Sequence, residues 1–70
     1  MMPLLFADDG EEHVIRSVGG TQEVKRHLQD LGFTVGGSVR VISRMGGNVI
    51  VHVKESRIAI DERMAQKIMV

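Results

Sequence analysis

Apolar and polar positions alternate with a period of two along most of this chain, and one stretch between the alternating runs has helical spacing. Glu12-His13-Val14-Ile15-Arg16-Ser17-Val18 is rich in β-branched residues and stops at Gly19-Gly20, which predicts a strand. Val14, Arg16 and Val18 fall on one face, His13, Ile15 and Ser17 on the other. Thr21 to Leu31 is the helix: Val24, Leu28 and Leu31 make a single apolar stripe at i, i+4, i+7. Thr21 is placed to cap it, and Glu23 sits in the positive first turn. Gly32 then takes the left-handed position after the last turn, and Phe33 packs back toward Leu28. Gly36-Gly37 turns the chain into a strand over 38–44, and Met45-Gly46-Gly47 leads to another over 48–54. Arg57 to Ile60 is a short strand with Ile58 and Ile60 inward, 61–66 forms one helical turn, and 67–70 is a last strand able to close beside the first. The expected architecture is mostly β: a small barrel of about five short strands with one inserted α-helix, whose closure removes exposed edges.

The two central strands should form a hairpin, and side-chain parity constrains its loop. Directly opposed residues share a face. Val39 and Val41 join Val51 and Val53 in a core only if paired residue numbers have an even sum. A plain two-residue Gly46-Gly47 turn makes that sum odd. A three-residue loop over 45–47, with Gly47 left-handed, is favoured; a two-residue turn plus a bulge satisfies the same condition. In the even register Ile42 lies directly across from Ile50 on the outer face, among Arg40, Arg44, His52 and Lys54. An apolar centre with a charged rim is interface anatomy. The other reading is that the helix or the N-terminal segment covers both isoleucines. The helix face carrying Lys25, Arg26 and Gln29 is the reserve candidate for a partner surface.

Composition narrows the function. Seventy residues make one domain, 1–70, that buries only about 60% of its unfolded surface. There is no cysteine, so disulfides and thiolate metal sites are excluded. Nine basic residues balance nine acidic ones, which argues against a nucleic-acid tracker. Both phenylalanines are assigned to the helix stop or to the apolar N-terminal stretch, leaving no stacking platform. No apolar run reaches the ~20 residues of a membrane span, and Met1 to Ala7 lacks the features of a signal peptide, so a cytoplasmic protein is expected. No nucleophile sits in a catalytic context, and His13, His27 and His52 are far apart, so no enzyme is expected. Asp8-Asp9-Gly10-Glu11-Glu12-His13 has the ligand types ferrous iron favours. It matches no metal motif, reads best as a solvated acidic turn, and gives no cofactor or metal site; His13 is the first candidate ligand if one exists.

These signals, in this order, resemble the FeoA family. The resemblance covers 20–70 and is carried chiefly by Arg26-His27-Leu28-Gln29-Asp30-Leu31-Gly32-Phe33-Thr34-Val35-Gly36. That run is similar to the family pattern of a basic residue, Leu, Leu-Gly-Phe/Met and then Pro-Gly. Val39-Arg40-Val41, Ile58-Ala59-Ile60 and Ala65 through Ile68-Met69-Val70 continue it. Val35 stands where the family usually has proline, and the loop over 45–48 is shorter than is usual in the family. The resemblance implies an SH3-like barrel and a non-catalytic accessory of bacterial ferrous iron uptake that binds the cytoplasmic G-protein part of the FeoB transporter. It also implies similarity to the C-terminal module of DtxR-type metal-dependent repressors, so a stand-alone regulatory domain or a weak metal-binding module is the alternative. Self-association is compatible with either.

Overall fold

In the computed structural model, which describes residues 1–70, β3 (Ser38–Met45) pairs antiparallel with β4 (Asn48–Val53), and β4 pairs with β5 (Ser56–Asp61). β1 (Glu12–Val14) lies along the other side of β3, so the larger sheet runs β1-β3-β4-β5. A second sheet holds β2 (Ser17–Val18) and β6 (Ile68–Met69). The five valines of β3 and β4 that were read as inward (Val39, Val41, Val49, Val51 and Val53) are all buried. They form one core cluster with Leu4, Ile15, Leu28, Phe33, Ile60 and Ile68, among others.

The stretch read as one strand over 12–18 is two, which makes six strands in place of five. Its alternation is imperfect because the chain changes sheets there. Ile15 donates its N–H to Gly37 O at 2.8 Å, and the next residue, Arg16, donates to Met69 O at 2.7 Å. Ile15 is fully buried at this corner, while Val14 is exposed. β6 closes beside β2, as expected for the last strand. The larger sheet, however, does not close: β5 has no strand on its outer side, so the expected loss of exposed edges is only partial.

Helix α1 (Gln22–Leu31) begins as its sequence dictates, with the Thr21 hydroxyl accepting from Val24 N–H at 3.2 Å. It ends on Gly32 at φ +113°. There the Phe33 N–H bonds Leu28 O and the Gly32 N–H bonds Gln29 O, both at 2.9 Å. This crossed pair satisfies carbonyls that the helix end would leave orphaned. Phe33 is fully buried. The positive φ, and not space, selects glycine here: a Cβ at position 32 would meet the Lys54 stem at an ordinary van der Waals distance, 3.4 Å from its Cγ. Gly36 takes φ +90° in the turn toward β3, and its N–H bonds Ile15 O at 2.8 Å.

The β3–β4 turn corrects the favoured three-residue loop. Gly46 and Gly47 alone form it, at φ +53° and +83°, with Met45 paired to Asn48. Two consecutive positive φ values match the twist of a hairpin and suit a glycine pair. The register then shifts between Val41 and Ser43, leaving Ile42 as the extra residue of a bulge. This is the second solution that parity allowed. It has two consequences. Ile42 and Ile50 are not directly opposed, since Ser43 pairs with Ile50. Arg44 pairs with Val49 and so leaves the strand on the core side, not on the outer rim where it was expected.

Arg44 reaches the N-terminal segment instead. A short 3₁₀ turn over Leu4–Phe6 buries Leu4, and Ala7 is buried just after it. The Arg44 guanidinium donates to Leu5 O at 2.9 Å and Ala7 O at 2.6 Å, and it pairs with the Asp9 carboxylate. Gly10 N–H bonds Val41 O at 2.7 Å, and Met2 exchanges two 2.8 Å backbone bonds with Val70. After β5, Asp61 caps α2 (Glu62–Lys67) by accepting from Met64 N–H at 2.8 Å.

Three stability outcomes follow from these features. Gly32→Val should cost about 1–3 kcal/mol in urea denaturation, because a β-branched side chain is strained at positive φ. Arg44→Ala should cost about 1.5–3 kcal/mol through loss of charge-assisted bonds to backbone carbonyls. It should also speed hydrogen exchange at the Gly10 amide. Asp9→Asn, which keeps both carbonyl contacts, should cost under about 1 kcal/mol.

Candidate functional site

The outer face of the larger sheet brings together Arg40, Ile42, Ile50 and His52 of the residues that the sequence singled out. Cross-strand registers place Glu12 beside Arg40, Arg40 beside His52, and His52 beside Arg57, a single row over all four strands. The next row holds Ile42 and Ser43 of the bulge, then Ile50, then Ala59. Ile42 and Ile50 are half-buried, neither core nor fully exposed. A shallow cleft of about 270 Å³ opens at one end of the charged row, among Glu12, Arg40, His52, Lys54 and Glu55. Lys54 and Glu55 form the β4–β5 turn with φ +47° and +62°, without the glycines that ease the other hairpin.

Each element has a local reason to be where it is. The inward valines force Arg40, Ile50 and His52 outward by alternation. The bulge lets two residues of β3 oppose Ile50, so Ile42 stays on this face next to Ser43. Arg44 is removed from the rim by the same bulge and is spent on the N-terminal segment. Lys25 and Arg26 remain on α1 and take no part in the strand rows. Gly32, Phe33 and Gly36 serve the helix stop and the turn into β3. Sequence reasoning missed Glu12 as a member of the charged row. Its signal was the same alternation, but it becomes usable only once the β1–β3 register is known.

The face holds no assembled reactive group. His13 lies on the inner face opposite Val39, His27 is exposed on α1, and His52 is on the outer face. His13 Nε2 is buried without a hydrogen-bond partner. No three His, Asp or Glu side chains come together to hold a metal ion. The acidic tract is more than a solvated turn, because Asp9 binds Arg44 and Glu12 faces Arg40. No helix is long and apolar enough to cross a membrane.

Comparison with known proteins agrees with this architecture. The family model of the FeoA domain matches residues 2–70. A protein of Methanocaldococcus jannaschii described as an Fe(2+) transport protein A is 37% identical over 70 residues, covering all of this chain and 85% of the relative. The crystal structure of an iron uptake regulatory protein, FeoA, superposes with a TM-score of 0.90 at 28% identity, over 99% of this chain and 92% of that one. The zinc-complexed FeoA of Stenotrophomonas maltophilia, an SH3 domain protein, gives a TM-score of 0.86 at 26% identity, over 100% and 89%. A manganese-dependent transcriptional repressor shares the fold alone, with a TM-score of 0.84 at 19% identity over 94% of this chain and 38% of the repressor. With the family pattern running from end to end over a small SH3-like β fold, the chain belongs to the FeoA domain family.

Proposed function

We propose that this protein is a non-catalytic accessory of ferrous iron uptake that works in the cytoplasm by binding the cytoplasmic G-protein part of the FeoB transporter. Family membership supports the iron-transport setting. The observation that carries the binding mode is the outer sheet face: half-buried Ile42 and Ile50 sit beside a row of Glu12, Arg40, His52 and Arg57. Desolvating two β-branched side chains inside a charged surround gives the affinity, and the mainly basic row selects the partner. Dispersed histidines and the lack of a nucleophile–base pair support a role without catalysis. The regulatory alternative has only the fold likeness to the repressor behind it, and a fold does not specify a role.

The test is a titration of the purified protein into the FeoB cytoplasmic domain, read by calorimetry. The wild type should bind. Changing both Ile42 and Ile50 to Thr should leave the fold intact, because Thr keeps strand propensity and neither site is in the core. It should weaken binding at least about tenfold, equivalent to about 1.4 kcal/mol. No binding by the wild type overturns the partner. Undiminished binding by a folded double variant moves the contact elsewhere, with Lys25 and Arg26 on α1 the next surface to change.

A further inference from the structure

The open edge of β5 carries a feature that the transporter reading does not use. β4 and β5 are joined by the two-residue turn Lys54-Glu55, with Val53 paired to Ser56. In such a hairpin the pair flanking the turn exchanges both of its backbone bonds, and alternate pairs do the same. Ser56, Ile58 and Ile60 therefore bond to β4, while the N–H and C=O groups of Arg57 and Ala59 point away from it. No strand lies on that side, and neither residue's backbone appears in any bond outside the sheet. Ile58 shows the same opening from within: it faces inward, yet it is only half-buried.

Along this edge the outward side chains read Arg57, Ala59, Asp61, all exposed. Basic, small, acidic is a self-complementary order. Two copies of β5 laid antiparallel about Ala59 place Arg57 of each opposite Asp61 of the other, and the two alanines opposite each other. These are also the residues whose backbone groups are free or lie at the strand end, so the bonding pattern and the charge pattern select the same register. On the inner side, Ile58 of one copy comes beside Ile60 of the other. On the outer side, the row of Ile42, Ile50 and Ala59 continues into its symmetry mate. The other edge lacks these properties: β1 has three residues, ends at the Ile15 corner, and follows the acidic tract.

We propose that a second copy of this chain pairs along β5, in antiparallel register centred on Ala59, to form a two-fold dimer with one continuous eight-stranded sheet, each copy giving its four strands. Opposite charges would normally guard an edge against pairing. Here their order about a small central residue makes them attractive in the two-fold arrangement. Asp61 caps α2 with one carboxylate oxygen, which leaves the other for Arg57 of the mate. The inference is independent of any transporter.

The chain has no cysteine, so a single introduced thiol reports the geometry cleanly. Bonded antiparallel pairs have Cα atoms about 5.5 Å apart, inside the disulfide range of about 4.4–6.8 Å. Ala59→Cys should therefore form a covalent dimer under oxidised glutathione much faster than Ser38→Cys, an exposed control on β3. Within the Ala59→Cys background, Arg57→Glu and Asp61→Asn should each slow crosslinking at least about tenfold; Asn still caps the helix. Sedimentation equilibrium of the wild type should show a reversible dimer, weakened by the same two changes, with melting of each variant checking that its monomer is folded. Three results overturn the proposal: a wild type that stays monomeric throughout, Ala59→Cys crosslinking no faster than the control, or association indifferent to both charge changes. The last would assign the dimer to another surface, and a monomer would leave the edge to a strand of another protein. Failure here does not touch the FeoB titration, and failure of that titration does not touch the dimer.

Discussion

Alternation of faces along β3 and β4 is the constraint on which the rest of this small fold depends. Five valines must point to one side, and a glycine-pair turn, taken alone, sets the two strands in the wrong parity for that. The bulge at Ile42 resolves the conflict by adding one residue to β3 only. Everything beyond the bulge is turned over. Arg44 emerges toward the N-terminal segment, where its guanidinium donates to the carbonyls of Leu5 and Ala7 and pairs with the Asp9 carboxylate. The N-terminal segment is held there, and Leu4 and Ala7 complete the core beneath it.

A chain of this length has little apolar surface to bury and no covalent staple, so each peripheral segment must contribute to closure. The N-terminal turn does so through Arg44, the C-terminal strand through its bonds to Met2 and β2, and the helix through Leu28 and Phe33. The Lys54 stem lies over Gly32, so the β4–β5 turn sits beside the helix stop. The sheet face that the valines do not use and the outer edge of β5 are not taken up by this closure.

Much of the fold was legible in the sequence because its signals are local. The Thr21 cap, the Val24–Leu28–Leu31 stripe and the Gly32–Phe33 stop each state their geometry within a few residues. The inward valines were equally plain. The harder features were those decided between segments. Nothing within 12–18 says that Arg16 bonds to Met69 while Ile15 bonds to Gly37, so one strand was read where a sheet-switching corner exists. Parity admits both a longer loop and a bulge, and the longer loop was favoured; the preference of two glycines for a tight turn decides for the bulge. Arg44 was misplaced for that reason alone. The N-terminal stretch offered no periodicity, so its buried Leu4 and Ala7 were not anticipated.

The bulge also makes turn length a variable with an effect at a distance. A hairpin with one more residue between Met45 and Asn48 would reach the valine parity without the extra residue at Ile42, and the sheet could become regular. The valine part of the core would be unchanged, but residue 44 would then face outward. An insertion in the turn would thus exchange an N-terminal clamp for a further cation on the exposed sheet, while the same five valines stay in place. In this architecture an insertion or deletion at the tip acts as a relay: it redistributes one arginine between holding the N-terminal segment and facing solvent, and leaves the five inward valines where they were.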